Sequence, residues 1–197
     1  MDIIRKIIRK YLREEFNVIG NTLKLNPPYD NIKKTKVGGR DLYILFGDVD
    51  YYPNKQSILA LKRKSSEIEL DYNNYEQFLK EFKRRFDGIE VLRSSDLLVS
   101  VETTCPITDE IGNFMDIPYI KNGFGKIDPS FKMRDLNDFE DRKKISNLFK
   151  MNFSVGDNKT ICVIDDFVTS GSTFKNAFDM LPLDINVVGV CLFQLKS

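Results

Sequence analysis

Residues 160–181, which read TICVIDDFVTSGSTFKNAFDML, decide the fold. The stretch begins with an apolar run at residues 160–164, which predicts a buried strand of a parallel sheet. Two acids end that strand, and a helix is predicted from about Thr173, with Pro182 as its stop. A second apolar run, NVVGVCLF at residues 186–193, follows the helix. The order strand, helix, strand predicts a right-handed parallel βαβ unit.

Further strands and helices are predicted on the amino-terminal side of this unit. Strands are expected at residues 42–46 (LYILF) and 96–101 (DLLVSV), and helices at residues 56–63 and 75–86. The second helix carries apolar side chains at helical spacing, namely Tyr75, Phe78, Leu79, Phe82 and Phe86. These elements together predict an α/β fold in which a parallel sheet is flanked by helices.

Two segments lie outside this pattern. Residues 1–16 place an isoleucine-rich stripe opposite charged residues, which predicts an amphipathic helix docked on the core or on a second copy of the chain. Residues 105–155 are polar, weakly periodic and contain scattered glycine and proline, which predicts a long functional or mobile loop. We therefore divide the chain into an N-terminal helix and hood segment (residues 1–40) and a sheet-containing domain (residues 41–197).

Composition excludes several classes of protein. The 197 residues hold 30 basic and 29 acidic side chains, and this near-neutral charge argues against bulk electrostatic binding of nucleic acid. The chain has no histidine, so Ser-His-Asp triads and HExxH zinc sites are excluded. Its three cysteines are far apart in sequence and form no CxxC, which favours a reducing compartment. No segment is apolar over the roughly 20 residues of a membrane span, and we expect a cytoplasmic protein without a membrane partner.

The residues after the predicted strand at 160–164 have the chemistry of a phosphate and sugar site. Gly171 permits a tight turn, and the amides at the start of the following helix favour an anion such as phosphate. Asp165 and Asp166 are suited to accept hydrogen bonds from the vicinal hydroxyls of a sugar, directly or through a divalent cation. A phosphate at one end and a diol at the other describe a ribose 5-phosphate. The plainer alternative is a strand end followed by a helix capped by Ser172.

This segment closely resembles the phosphoribosyl pyrophosphate (PRPP) motif of the type I phosphoribosyltransferases, an apolar strand followed by two acids, two variable residues and a Thr/Ser-Thr/Ser-Gly run. The chain looks most like the ComF-like, competence-associated branch, without that branch's N-terminal zinc module. The likeness runs loosely from about residue 45 to the end and includes the helix at 75–86 leading into DLLVSV, and Arg142, Asn147 and Phe153.

The resemblance implies a site and an activity. It assigns Asp165 and Asp166 as the catalytic acids that contact the ribose hydroxyls, and a loop that binds the 5-phosphate, made of Thr169, Ser170, Gly171, Ser172 and Thr173. It places Thr103 and Thr104 in the loop that binds pyrophosphate, where Glu102 is an unexpected anion. Further cations for pyrophosphate are expected from Lys121, Lys126, Lys132, Arg134 or Arg142. Mg²⁺ is expected to arrive bound to PRPP, with no metal ligands assigned to the protein alone.

The implied function is transfer of phosphoribosyl from PRPP to a nitrogen acceptor with release of pyrophosphate. Two alternatives remain open at this point. The first is a non-catalytic protein that binds PRPP or a nucleotide and acts in regulation or DNA uptake, and the second is an interaction protein with a vestigial site. The expected partner is PRPP or a nucleotide; a homodimer is possible, and nothing in the sequence supports a nucleic-acid partner.

Overall fold

A computed structural model of the protein describes residues 32–49, 72–102, 107–128 and 149–195. The helix expected at residues 1–16, the helix expected at 56–63 and residues 103–106 lie outside the described residues. The described elements are, in chain order, β1 (Lys33–Val37), β2 (Arg40–Ile44), α1 (Tyr72–Asp87), α2 (Glu90–Arg93), β3 (Leu97–Val101), α3 (Ile107–Phe114), β4 (Tyr119–Lys126), β5 (Phe149–Met151), β6 (Thr160–Val168), α4 (Ser172–Asp179) and β7 (Asn186–Gln194).

These strands form one mixed sheet in the order β1-β2-β7-β6-β3-β4-β5. The five central strands, from β2 to β4, are parallel, whereas β1 and β5 pair antiparallel at the two edges. The predicted α/β class is confirmed, and the sheet predicted as parallel is mixed, because its two edge strands are antiparallel. At the first edge the reason is local, because Gly38 and Gly39 have positive φ angles and allow a two-residue hairpin turn between β1 and β2.

Helices cover both faces of the sheet. Side chains of α1, α2 and α3 pack on one face, and those of α4 pack on the other. Helices α1 and α2, which lie between β2 and β3, and α3, which lies between β3 and β4, are on the first face, and both steps lead toward β5. Helix α4 lies between β6 and β7 on the second face, and that step leads toward β1. All three crossovers therefore share one hand, as parallel βαβ units require. Residues before position 41 contribute β1 and the first residue of β2 to this sheet.

Helix α1 confirms the periodicity seen in the sequence. It extends from Tyr72 to Asp87, slightly beyond the expected range, and Phe78, Phe82 and Phe86 are buried against the sheet. The amide of Gly88 donates to the Arg84 carbonyl just after the last turn. None of the helices in the described stretches is long and apolar enough to span a membrane.

The expectation of a long loop between residues 105 and 155 is wrong at residues 107–114, 119–126 and 149–151, and residues 129–148 lie outside the described residues. Helix α3 buries Ile107 and Ile111, and β4 and β5 extend the sheet. The loop was predicted because the segment contains several glycines. Two of these glycines lie in strand β4, at positions where a side chain would not fit. A Cβ at Gly123 would collide with Val99, and one at Gly125 would collide with Asn152.

Candidate functional site

The carboxyl ends of β3 and β6 form the topological switch point of the sheet. The two strands are neighbours, paired from Leu97↔Ile161 to Ser100↔Ile164. The chain leaves β3 toward β4 on one side and leaves β6 toward β7 on the other. In open α/β sheets, ligands bind in the crevice that this divergence creates. The sequence-predicted acids therefore lie at the edge where a ligand is expected.

Asp165 and Asp166 lie within β6 and do not end it. The strand continues to Val168, which pairs with Gln194 of β7, whereas the pairing with β3 stops at Ile164. The prediction that the acids end the strand is correct only on the β3 side, because β7 is long enough to pair beyond them. The two acids are therefore anchored by β7 and lie beside the opening next to β3.

Both acids are largely buried and fixed by the backbone. Asp165 is 7% exposed and Asp166 4% exposed. Oδ1 of Asp165 accepts the Asp166 amide at 2.8 Å, and Oδ1 of Asp166 accepts the Phe167 amide at 2.7 Å. Such bonds hold each carboxylate in one orientation, so the pair is arranged before any ligand arrives.

Cys191 lies beside the acids on β7, in register with Asp165. Burial raises the pKa of its thiol, and the two nearby carboxylates raise that pKa further. Burial alone raises the pKa of Cys162. Both cysteines are free and buried, and are therefore inert small hydrophobic residues.

The loop between β6 and α4 turns on Gly171. This residue has φ +79° and occupies the cap position of α4, where no side chain makes a capping hydrogen bond. The plainer alternative, in which Ser172 caps the helix, does not hold, because Gly171 is the cap residue and Ser172 is the first helical residue. The Ser170 and Ser172 hydroxyls lie 2.8 Å apart, and the Ser172 amide donates to Ser170 Oγ at 3.3 Å. Because Gly171 has no side chain to cap the turn, the start of α4 is suited to an external acceptor such as phosphate.

Tight packing positions this loop and helix α4. A Cβ at Gly171 would lie 3.0 Å from a methyl group of Val37, so the β1–β2 hairpin presses against the loop. A Cβ at Gly189 would lie within 3.0 Å of Phe174 and Phe178, so the glycine allows α4 to approach β7 closely. These contacts place the loop against the hairpin and α4 against β7.

The end of β3 has different chemistry. The Glu102 amide donates to the Phe124 carbonyl at 2.8 Å, and a Glu102 carboxylate oxygen accepts the Lys126 amide at 2.6 Å. The carboxylate is thus tied to the end of β4. The predicted pyrophosphate residues Thr103 and Thr104, together with Cys105, lie outside the described residues.

The expected pyrophosphate cations are not gathered at the switch point by any described contact. Lys121 forms an ion pair with Asp109 at 2.5 Å, and the Tyr119 hydroxyl donates to the same carboxylate at 2.7 Å. Lys126 contributes its backbone amide to Glu102. Lys132, Arg134 and Arg142 lie outside the described residues.

Three polar residues at the same edge were missed by the sequence analysis. Asp48 follows β2 and has no exposed surface, and its backbone forms an isolated parallel β-bridge with Gln194 at the end of β7. The Lys33 ammonium group donates to Gln194 Oε1 at 3.3 Å. A polar residue after each apolar strand was a usable signal for Asp48 and Gln194. Lys33 gave no such signal, because its position depends on the edge pairing of β1.

A cavity of about 440 Å³ lies at the opposite edge, by the amino ends of β2 and β7. Its lining includes Lys36 and Arg40, and Arg40 Nη2 donates to the carbonyls of Leu181 and Pro182. Of the sequence-predicted site residues that the structure describes, none lines it.

No model of a known protein family matches the chain, and no curated protein is significantly similar to it in sequence.

Proposed function

We propose that the chain is a phosphoribosyltransferase-like protein that binds a ribose 5-phosphate group at the carboxyl end of β6. The observation that carries the proposal is the juxtaposition of a buried, backbone-fixed acid pair with the Gly171 loop at the switch point of the sheet. The proposed fold is that of the type I phosphoribosyltransferases, with a small hood formed by N-terminal and middle segments.

The two ends of the site would bind the two ends of the ligand. Asp165 and Asp166 would accept hydrogen bonds from the vicinal ribose hydroxyls, since an ionised carboxylate is an acceptor only. The hydroxyls and amides of Thr169, Ser170, Gly171, Ser172 and Thr173 would donate to the 5-phosphate. The positive end of the α4 dipole favours a phosphate at this loop.

The proposed reaction transfers phosphoribosyl from PRPP to a nitrogen acceptor. The acceptor nitrogen forms a bond to the anomeric carbon as the bond to pyrophosphate breaks, and the acceptor loses a proton. Charge of the oxocarbenium type develops on the sugar, as in other displacements at an anomeric carbon. This chain's contribution would be to hold the ribose in one position and to place Asp165 and Asp166 near the developing positive charge.

The donor chemistry of the acids fits Mg²⁺ bound to PRPP. Carboxylate oxygens are the ligands that Mg²⁺ prefers, and the ion commonly takes its remaining ligands from substrate phosphates and water. Within the described stretches, no group of three or more acid, histidine or cysteine side chains is arranged to hold a metal ion. Asp165 and Asp166 would hold Mg²⁺ together with PRPP, and the ion would neutralise charge on the departing pyrophosphate.

Glu102 favours a second candidate function, a non-catalytic sensor of a nucleotide or PRPP. The carboxylate at the end of β3 would repel pyrophosphate in the crevice and would not affect a monophosphate bound at the α4 loop. An enzyme would release pyrophosphate with at least one base or amine, whereas a sensor would bind its ligand and release nothing.

Calorimetric titration of PRPP with Mg²⁺ tests the proposal. The wild-type chain is compared with the Asp165→Asn, Asp166→Asn double variant, and with Asp157→Asn, Asp184→Asn as a control of equal charge change at exposed positions. We expect the first variant to lose binding by about 100-fold, because it loses two charged acceptors, and the control to retain it. Thermal unfolding of each protein checks that it is folded.

Two results would contradict the proposal. One is the absence of heat from the wild-type chain at concentrations that reveal millimolar affinity, and the other is equal binding by the wild-type chain and a folded acid-pair variant. Where binding is found, a screen of bases for pyrophosphate release separates the enzyme from the sensor.

A further inference from the structure

Strand β1 brings one face of its side chains to the α4 side of the sheet. Side chains alternate along a strand, so Lys33 and Val37 share a face. Val37 packs with the α4 side of the core and presses on Gly171. Lys33 pairs with Ile44 at the carboxyl end of β2. Lys33 therefore lies at the same edge and on the same face of the sheet as the start of α4.

The Lys33 side chain also reaches across the sheet toward the loop. Its ammonium group contacts Gln194 on β7, although β2 lies between β1 and β7. Gln194 in turn pairs with Val168, the last residue of β6 before the loop. Adjacent strands are about 4.8 Å apart. The ammonium group, which contacts β7, is therefore about one strand spacing from the end of β6, where the loop begins at Thr169.

The other two lysines of β1 point to the opposite face and are paired there. Lys34 and Lys36 form ion pairs with Asp41 at 2.8 Å and 3.1 Å. Lys34 also lies over the Tyr43 ring. Lys33 is thus distinguished from its neighbours by the face on which it lies, and Lys34 is a matched control for it.

A phosphate bound at the β6–α4 loop would be stabilised by a nearby cation. Residues 169–173 include no lysine or arginine. A phosphate bound there would lie close to the carboxylates of Asp165 and Asp166, which repel it, and hydroxyls and amides alone supply no full positive charge. An ammonium group beside the loop would offset that repulsion and add a charge-assisted hydrogen bond.

We propose that Lys33 binds the phosphate group of the ligand and makes the site selective for a phosphorylated ribose over the free sugar. This inference rests on the proposed function of the β6–α4 site. Lys33 would be a specificity-determining residue supplied by the edge strand, outside the segment that carries the motif. The competing interpretation is structural: Lys33 would only stabilise the strand ends that carry Gln194 and Asp48.

The experiment measures the affinity of ribose 5-phosphate by calorimetry and that of ribose by competition. The proteins are wild type, Lys33→Gln, Lys33→Arg and the control Lys34→Gln, each with its melting temperature. We expect Lys33→Gln to weaken ribose 5-phosphate about tenfold with little change for ribose, since one charge-assisted contact is lost. Lys33→Arg keeps the charge and should restore affinity, and Lys34→Gln should match wild type. If Lys33→Gln does not fold, Lys33→Met replaces it.

The possible failures are distinguishable. Equal binding of ribose 5-phosphate by wild type and a folded Lys33→Gln variant overturns the role of Lys33 and leaves the site intact. Parallel weakening of both sugars, with a lower melting temperature, assigns Lys33 a structural role and also overturns the proposal. A wild-type chain that binds neither sugar overturns the proposed function, and the inference fails with it.

Discussion

The carboxyl ends of β6 and β3 are neighbours at the switch point, yet they differ in chemistry. The β6 end carries two buried acids, followed by a hydroxyl-rich loop and by a helix whose cap residue is Gly171. The β3 end carries Glu102, whose carboxylate is bound by a backbone amide of β4. The first end combines groups for a sugar and a phosphate, and the second adds a negative charge that a second phosphate would meet.

This difference shows that the strand order determines where a ligand would bind, whereas the side chains determine which ligand would bind there. The switch point accounts for where a ligand would bind, since both strand ends open on the same crevice. The side chains account for what would bind, and here only the β6 end favours an anion. A ligand phosphorylated at one position satisfies both ends more easily than one that also carries pyrophosphate.

Among the single substitutions that compare the two strand ends, the largest effect is expected from a side chain added at Gly171 in the β6–α4 loop. Gly171→Ala should weaken ribose 5-phosphate by at least about tenfold, because Gly171 has a positive φ and its new Cβ would press on Val37. Gly156→Ala is the matched control, since Gly156 also has a positive φ but has open space around it. Calorimetry and thermal melts should show both variants destabilised and only the first impaired in binding. If Gly171→Ala and Gly156→Ala bind ribose 5-phosphate with equal affinity, the loop does not contact the ligand.

A smaller effect of opposite sign is expected at the β3 end. Glu102→Gln should strengthen PRPP binding about threefold, because it removes a negative charge beside the pyrophosphate. The amide oxygen can still accept the Lys126 amide, so the fold is preserved. Titration with ribose 5-phosphate should show no change, and Glu110→Gln, at an exposed position of α3, should change neither ligand. Unchanged PRPP affinity in Glu102→Gln would mean that this carboxylate does not face the ligand.

The end of β2 provides a third comparison, because the charged side chains beside it stabilise the fold and are not part of the proposed site. After β2, the Leu45 carbonyl accepts Nη1 of Arg85, which is 6% exposed and lies over the Phe46 ring. Glu81 accepts from Arg84 and Arg85, and these hydrogen bonds, led by that of Arg84, lower the pKa of Glu81 to about 2. An exposed glutamate has a pKa of about 4.3, so this carboxylate stabilises the fold above that pH and loses its contribution as pH falls toward 2.

The smallest effect is therefore a pH-dependent change in stability with no change in binding. Glu81→Gln should melt about 2–4 °C below wild type at pH 7, allowing for solvent screening of a partly exposed ion pair. The difference should shrink by more than half at pH 3. Ribose 5-phosphate affinity at pH 7 should be unchanged. A gap in melting temperature that is constant from pH 7 to pH 3 would show that the ion pair does not account for it.

The sequence predicted the central part of the fold well. The β6–α4–β7 unit and the periodic face of α1 were evident because apolar runs and helical spacing are local signals. The boundaries moved where pairing partners decide them, as when β7 extends β6 past Asp166 to Val168. Helix α3 and strand β4 were missed because glycines such as Gly123 meet close neighbours that are distant in sequence.

The candidate site was predictable only as far as it is contiguous in the chain. Asp165, Asp166 and the loop residues lie within one motif, so local sequence was sufficient for them. The attachment of Glu102 to β4 depends on the pairing of β3 with β4, and the reach of Lys33 depends on the order β1-β2-β7. Neither is visible until the sheet is assembled.

The most direct test of the central claim is amide chemical-shift mapping of the ¹⁵N-labelled chain during titration with ribose 5-phosphate. The account predicts that the largest shifts occur at Asp165, Asp166 and the loop from Thr169 to Thr173, with Gly171 prominent among them. Shifts confined to the opposite edge, around the cavity lined by Arg40, or no shifts at millimolar ligand, would contradict it.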